Sequence, residues 1–242
     1  MPWKGRGAKG HMITTLSELF GTTLFLFCAF AGIQAAGSSS GLAFSSIAAG
    51  PGPDAGLQAL VYISLSFGLS LMVNAWIFCR TSGAYFNPAV TLALLLSGDI
   101  GSVRAACLFV AQIAGSIAAS ELALGLFPAN IDVRTVLNNK ISIVRGLFIE
   151  AILSAELVFT VLVLAKEKTR AYLAPAGVGA ALFVGELVGV HWTGGSLNPA
   201  RSFGPCVVTN MWDRTHWVYW AGPTLGCMLA VTFHRFIKAL EN

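Results

Sequence analysis

The chain has 242 residues and a formal net charge of +4, and it is 55% hydrophobic but only 11% charged. A soluble domain of this size needs about a quarter of its residues charged to cover its surface. The composition therefore excludes an ordinary soluble protein and favours a membrane protein. The small positive charge gives no support to a nucleic-acid partner.

Six apolar segments are each long enough to cross a bilayer, which takes about 20 residues of α-helix. In chain order they are Met12–Ala35, Leu57–Phe78, Val103–Phe127, Ile143–Leu164, Tyr172–Val190 and Trp217–Ile237. Backbone polar groups in lipid must be hydrogen-bonded within the segment, so these spans are predicted to be helices. We expect an all-α membrane protein with a single transmembrane domain over residues 1–242, of which 1–11 form an N-terminal tail.

The basic residues predict which side of the membrane holds the termini, because cytoplasmic loops carry more Lys and Arg. With six spans both termini share one side. Ten basic residues fall there: Lys4, Arg6, Lys9, Arg80, Arg104, Lys166, Lys168, Arg170, Arg235 and Lys238. The opposite side has five: Arg134, Lys140, Arg145, Arg201 and Arg214. We expect cytoplasmic termini, and the plasma membrane rather than an internal one.

An enzyme is the least favoured class of function. The five cysteines are scattered and the four histidines are dispersed, so no metal-ligand spacing is present in the sequence. No pairing of a nucleophile with a base and no phosphate-binding loop occurs either. We expect neither a cofactor nor a metal.

The two halves, approximately residues 12–127 and 143–237, carry the same motif. Ser82–Ala89 reads SGAYFNPA and Thr193–Ala200 reads TGGSLNPA. A glycine stands 19 residues before and another 28 residues after each motif asparagine, at Gly68, Gly179, Gly115 and Gly226. Because each half has an odd number of spans, the halves must have opposite orientations. This is an inverted repeat, which places its functional site between the halves at the middle of the membrane.

A mostly apolar stretch of nine or ten residues begins at each motif proline, 88–96 and 199–208, and is too short to cross a bilayer. Both stretches are predicted to enter halfway as short helices. Asn caps the first N–H groups and Pro suits the first helical position. The motif residues Asn87, Pro88, Ala89, Asn198, Pro199 and Ala200 would then meet at mid-membrane. Two helix N-termini and two amide donors there would bind a neutral molecule and repel cations.

Arg201 directly follows the second motif. An arginine at membrane depth is costly and is therefore functional by default. It would lie one turn along the half-helix, where it adds a fixed positive charge to the narrow part of the pore.

At these residues the chain resembles the aquaporin, or major intrinsic protein, family over nearly its whole length. The resemblance rests on Ser82–Thr91 (SGAYFNPAVT) and Thr193–Pro205 (TGGSLNPARSFGP). It implies six tilted transmembrane helices, two re-entrant half-helices, one pore per chain and a homotetramer in membrane lipid. It also implies that the buried glutamates Glu18 and Glu150 hold the re-entrant loops.

The family's selectivity filter is a ring of four positions, which offsets from the motif asparagines place at Phe67, Glu186, Gly195 and Arg201. Water-selective members commonly have histidine where this chain has Glu186. We expect this carboxylate either to pair with Arg201 or to turn away and bond backbone groups, since an isolated charge in the membrane is costly.

The resemblance favours a passive water channel. Ser202 stands where glycerol-conducting members usually have aspartate, and the pair Tyr219-Trp220 is similar to the water-selective pattern. Channels for other small neutral solutes, such as glycerol, hydrogen peroxide or ammonia, remain the main alternative. A proton-coupled transporter and a membrane-junction protein with weak conduction are further alternatives.

Overall fold

The computed structural model describes residues 7–40, 53–128, 133–164 and 171–241. Within these ranges the regular structure is entirely helical. Its six long helices are α1 (Ala8–Ser40), α2 (Pro53–Phe78), α4 (Ser102–Leu126), α5 (Ile143–Leu164), α6 (Ala174–Thr193) and α8 (Val218–Glu241), and its two short ones are α3 (Pro88–Leu96) and α7 (Pro199–Thr209). The basic residues Lys4, Arg6, Lys166, Lys168 and Arg170, which contribute to the predicted orientation, lie outside the described residues.

The helices follow the predicted spans, and the differences are at their ends. Helix α1 is longer than its span in both directions. Tyr172 lies in a short 3-10 turn before α6, and α6 continues to Thr193, where Gly194 ends it in the left-handed conformation with φ 81°. Hydropathy marks the apolar part of a helix, whereas its ends depend on capping, and this is why the ends differ.

Five helices of the described chain, α1, α2, α4, α5 and α6, are long and apolar enough to cross a membrane. Their outward faces expose large apolar side chains, such as those of Phe20, Val110 and Ile152. The sixth long helix, α8, packs along α5. The fold is an all-α multi-pass membrane bundle.

The packing of the helices repeats between the two halves. Helix α1 packs on α4 in the first half as α5 packs on α8 in the second, and α2 packs against α6 across the halves. The short helix α3 packs on α8 and the short helix α7 on α4, so each half-helix contacts the last span of the other half. This reciprocal pattern is that of an inverted repeat, and it brings α3 and α7 together at the centre.

The glycines that recur in register lie where two helices approach closely. A Cβ on Gly68 would lie 2.6 Å from the Cβ of Phe183 and 2.8 Å from the carbonyl oxygen of Gly179. On Gly115 it would lie 2.8 Å from the carbonyl oxygen of Leu19, where α1 meets α4. Small residues let membrane helices approach closely, and here they allow the bundle to close around α3 and α7.

Candidate conducting pore

The two asparagine-proline motifs begin the two short helices. The Asn87 side chain accepts a hydrogen bond from the Ala89 N–H at 2.8 Å, and Pro88 is the first residue of α3. The Asn198 side chain accepts from the N–H groups of Ala200 at 3.0 Å and Arg201 at 3.4 Å, and Pro199 begins α7. Both helices therefore present capped N-termini to the middle of the bundle, with their positive dipole ends facing each other.

Each asparagine amide also bonds across to the other motif. Asn87 Nδ2 donates to the Leu197 carbonyl and Asn198 Nδ2 donates to the Phe86 carbonyl, both at 2.8 Å. An amide nitrogen has two hydrogens. The second N–H of each asparagine is the group that can donate to a molecule in the cavity that both side chains line.

The residue before each asparagine has a left-handed backbone, which side-chain-bearing residues rarely adopt. Phe86 has φ 49° and Leu197 has φ 51°, and both are fully buried. Such a conformation costs about 1–3 kcal/mol and persists only where the surroundings hold it. It turns the carbonyl of each residue toward the opposite asparagine. Sequence analysis missed these two residues, and no local pattern marks them.

Two buried glutamates hold these strained residues by their N–H groups. Glu18 Oε1 accepts from the Phe86 N–H at 2.6 Å and from Gln112 Nε2 at 2.8 Å. Glu150 Oε2 accepts from the Leu197 N–H at 2.8 Å. The other oxygen of Glu150, Oε1, accepts from the Thr193 hydroxyl at 2.6 Å and the Ser196 N–H at 3.0 Å.

Arg201 lies in the third position of α7 and is almost completely buried. Its Nη1 donates to the Val133 carbonyl at 2.5 Å. Its guanidinium carbon is 5.0 Å from the centroid of the Phe67 ring and 5.5 Å from that of the Phe30 ring, within the range of a cation–π contact. Phe30 and the Val133 carbonyl were not anticipated from the sequence, because neither belongs to a motif.

Glu186 completes a cluster with the other three predicted filter residues. A Cβ on Gly195 would overlap Glu186 Oε2, so the carboxylate lies directly against the backbone of Gly195. The Arg201 charge attracts this carboxylate, whereas that of Glu150 repels it. Neither Glu186 oxygen has a hydrogen-bond partner in the described part of the chain. The backbone bonds that the sequence analysis offered as one alternative are therefore not observed among the described residues, and the side chain is fully buried rather than exposed to lipid.

The cavity between the two motifs is narrow. It is lined by both motif asparagines, Ser196 and Arg201, and otherwise mainly by apolar side chains that include Leu71, Val178 and Leu182. Its free volume for water-sized molecules is about 20 Å³. Since one water needs about 10–15 Å³ on this measure, the cavity holds roughly one or two.

Two of the residues that resembled the water-selective pattern, Ser202 and Tyr219, bond to the loop of the second motif and do not line the cavity. Ser202 Oγ is 2.6 Å from Ser196 Oγ and accepts from Thr135 at 2.8 Å. The Tyr219 hydroxyl donates to the Thr193 carbonyl at 2.8 Å. These side chains hold the loop of the second motif in place.

Comparison with known proteins agrees with this architecture. The family model described as Major intrinsic protein matches residues 9–234. The chain belongs to this family. It is 55% identical over 240 residues to a protein named Aquaporin-5 of Botryotinia fuckeliana, and 51% identical over 240 residues to a probable aquaporin-5 of Gibberella zeae. Each of these alignments covers 99% of this chain and 44% of the relative. The chain thus spans less than half the length of these relatives.

A solved structure shares the fold of this major intrinsic protein. The X-ray structure of the aquaglyceroporin from Plasmodium falciparum superposes with a TM-score of 0.76 at 22% identity, covering 93% of this chain and 95% of that one. At this identity the likeness concerns the fold alone.

Proposed function

We propose that this chain is a passive channel that conducts water down osmotic gradients and excludes protons and ions. The observation that carries the proposal is the narrow cavity between two asparagine amides at the meeting point of two half-helices. Members of the family conduct small neutral solutes such as water or glycerol, and the choice between them depends on the width and polarity of the passage.

The dimensions of the cavity support water. Space for roughly one or two water molecules suits a single file. The absence of a side chain at Gly195 would by itself widen the filter. The Glu186 carboxylate, however, occupies the space that a Gly195 side chain would take. The Phe67 ring, packed by the Arg201 guanidinium, closes another side of the filter. A solute as wide as glycerol has less room here than its size requires.

The electrostatics support the exclusion of cations. The two helix N-termini contribute roughly half a positive charge each, and Arg201 adds a full charge nearby. The second N–H of each motif asparagine donates to a passing molecule, which orients a water file with its oxygens toward the centre. A cation or a proton moving along the file meets this positive region at the narrowest point.

A channel for other small neutral solutes is the second candidate. The observation in its favour is the polarity of the predicted filter positions, where the charge of Arg201 acts on the Glu186 carboxylate. A proton-coupled transporter is disfavoured, because Glu18 and Glu150 are occupied by loop N–H groups.

The test is stopped-flow light scattering on vesicles that contain the purified protein. Under a sucrose gradient we expect them to shrink much faster than empty vesicles, with a low activation energy. Under glycerol and urea gradients the rate of re-swelling should equal that of empty vesicles. A rate and an activation energy typical of lipid, in protein shown to be folded, would refute the water channel, and rapid re-swelling in glycerol would favour the second candidate.

We also propose cytoplasmic termini, a location in the plasma membrane and a homotetramer with one pore per chain. The orientation is supported by the distribution of basic residues, and the tetramer by the family resemblance. Protease accessibility in sealed cells tests the first. Native mass spectrometry in mild detergent tests the last, and a monomer under several mild conditions would contradict it.

A further inference from the structure

We propose that a groove on the outside of the bundle binds a phospholipid with a negatively charged headgroup. This outer groove lies between the start of α5 and the end of α6, and its lining includes Lys140, Arg145, Phe148, Ile152 and Trp192. The inference goes beyond the conducting pore, because a lipid held there acts on the bundle whichever solute the pore conducts.

The lower part of the outer groove is apolar and exposed. The groove has a volume of about 550 Å³, within the roughly 300–1,000 Å³ of sites that bind small molecules. Arg145 stands near the start of α5, and Phe148 and Ile152 follow it by three and seven residues on the same helix face. The groove therefore extends about 10 Å along α5 from the arginine toward the middle of the membrane. Phe148 and Ile152 are 56% and 63% exposed, so an apolar chain can lie against them.

The upper end of the outer groove is positively charged. Lys140 and Arg145 are both exposed and both line it, and no acidic residue is among the described residues of the lining. The side of a membrane protein opposite the cytoplasm usually has few basic residues. Here two of the five on the predicted outer side meet in one groove. The N-terminus of α5 adds a partial positive charge at the same place, so this end complements a phosphate.

The loop that carries Lys140 is fixed to the end of α6. The Asn138 N–H donates to the Trp192 carbonyl at 2.9 Å, and Asn138 Nδ2 donates to the His191 carbonyl at 3.1 Å. Asn138 Oδ1 in turn accepts from the Lys140 N–H at 2.9 Å. A backbone that is already held in place lowers the entropy cost of binding. The cation is therefore presented to the groove by an ordered loop.

These features together match a phospholipid. Such a molecule has its phosphate at the membrane surface and its acyl chains directly below, which is the order of charged and apolar surface in the outer groove. Basic pockets between transmembrane helices bind anionic headgroups for this reason. A soluble anion would use only the two cations, and a zwitterionic lipid would leave part of their charge unmatched. A second subunit is the remaining occupant, and the test below separates it from lipid.

The test measures lipid binding to the purified protein in detergent. Native mass spectrometry counts the lipids retained per chain, and the thermal midpoint is followed, as anionic phosphatidylglycerol or zwitterionic phosphatidylcholine is added. Glycerol 3-phosphate, which has a charged group without acyl chains, tests for a soluble ligand. The double variant Lys140→Gln/Arg145→Gln removes both charges and keeps long polar side chains. The matched control is Arg214→Gln, because Arg214 is exposed on the same predicted side but is not part of the groove lining.

We expect phosphatidylglycerol to bind the wild type more tightly than phosphatidylcholine and to raise its midpoint, whereas glycerol 3-phosphate should leave the midpoint unchanged. The double variant should bind phosphatidylglycerol about thirtyfold more weakly, at about fivefold for each cation near an anionic lipid. Arg214→Gln should bind it as the wild type does. The midpoint without lipid shows whether each variant is folded.

Three results overturn the inference: equal binding of phosphatidylglycerol to the wild type and the double variant, an equal loss in Arg214→Gln, or equal protection by glycerol 3-phosphate. A double variant with an altered number of subunits and unchanged lipid binding also overturns it and assigns the groove to a contact between subunits. No flux is measured, so none of these results bears on the proposed water channel.

Discussion

Replacing each of the two loop-holding glutamates, Glu18 and Glu150, with glutamine should affect stability and water flux to different extents. The sequence makes the two residues look equivalent, since each lies near the start of the first span of its half. Glutamine keeps the shape of glutamate but replaces one oxygen with an NH₂ group. In Glu150 both oxygens are occupied, Oε1 by two donors and Oε2 by the Leu197 N–H. In Glu18 the bonds from Phe86 and Gln112 both end on Oε1, whereas Oε2 has no partner within ordinary hydrogen-bond distance among the described residues, although the Ser82 hydroxyl and the Tyr85 N–H lie near the same carboxylate.

The expected difference in stability between the two variants follows from the number of carboxylate oxygens that accept hydrogen bonds in each glutamate. Glu18→Gln can keep both of its bonds with its NH₂ group on the unoccupied side. Glu150→Gln must lose at least one bond and place its NH₂ group against an N–H donor of the loop. A hydrogen bond to a carboxylate is worth about 1.5–3 kcal/mol. Glu150→Gln should therefore cost about 1.5–3 kcal/mol more than Glu18→Gln, which lowers its thermal midpoint by roughly 3–12 °C relative to Glu18→Gln.

The assay is the thermal midpoint from tryptophan fluorescence in one detergent at one heating rate, paired with water flux in vesicles. Because Leu197 has a left-handed backbone and its carbonyl accepts from Asn87, releasing its N–H should also reduce the water flux of Glu150→Gln more than that of Glu18→Gln. Equal midpoints for the two variants, or a lower one for Glu18→Gln, would refute the reasoning.

Three more predictions concern the filter and the loop beside it. Arg201→Val should let protons in several-fold faster, as reported by a pH-sensitive dye, while water still flows; unchanged proton influx would contradict its barrier role. Gly195→Ala should block water flux, because the new Cβ would overlap the Glu186 carboxylate and the φ of 61° is strained for alanine. The control is Gly98→Ala, where the backbone is also left-handed but the surrounding space is open, and this variant should lose stability without losing flux. Burial lowers the pKa of His216, and this effect outweighs the opposite effect of the Asp213 charge, which raises the pKa. Folding therefore favours the neutral ring. Stability should then fall as the pH drops below the unfolded pKa of about 6.5, and His216→Gln should lack that loss.

Several elements could be predicted from the sequence because they depend on local chemistry. The span Ile143–Leu164 and the half-helix Pro88–Leu96 have the bounds expected from hydropathy and from the Asn-Pro start. The in-register glycines Gly68 and Gly179 face each other across α2 and α6. Each of these patterns is written in residues close along the chain or repeated at a constant interval.

Other parts of the site depend on contacts between distant segments. The Val133 carbonyl reaches Arg201 over a separation of 68 residues, and Leu197 reaches Asn87 over 110. The ring of Phe30 packs on the Arg201 guanidinium from a helix that shows no distinguishing pattern. No periodicity reports such pairs, because they arise only when whole helices dock.

The sequence by itself determined the six spans, the opposed halves, the two asparagine-proline caps and the presence of a carboxylate, Glu186, at a predicted filter position. Only the tertiary structure decided where that carboxylate lies. Glu186 had two expected arrangements, and the packing of α6 against the second loop placed it on Gly195 with no hydrogen bond to the described backbone. The physical reason is that hydropathy and capping act over a few residues, whereas the partner of a buried charge is set by which surfaces meet when the helices pack.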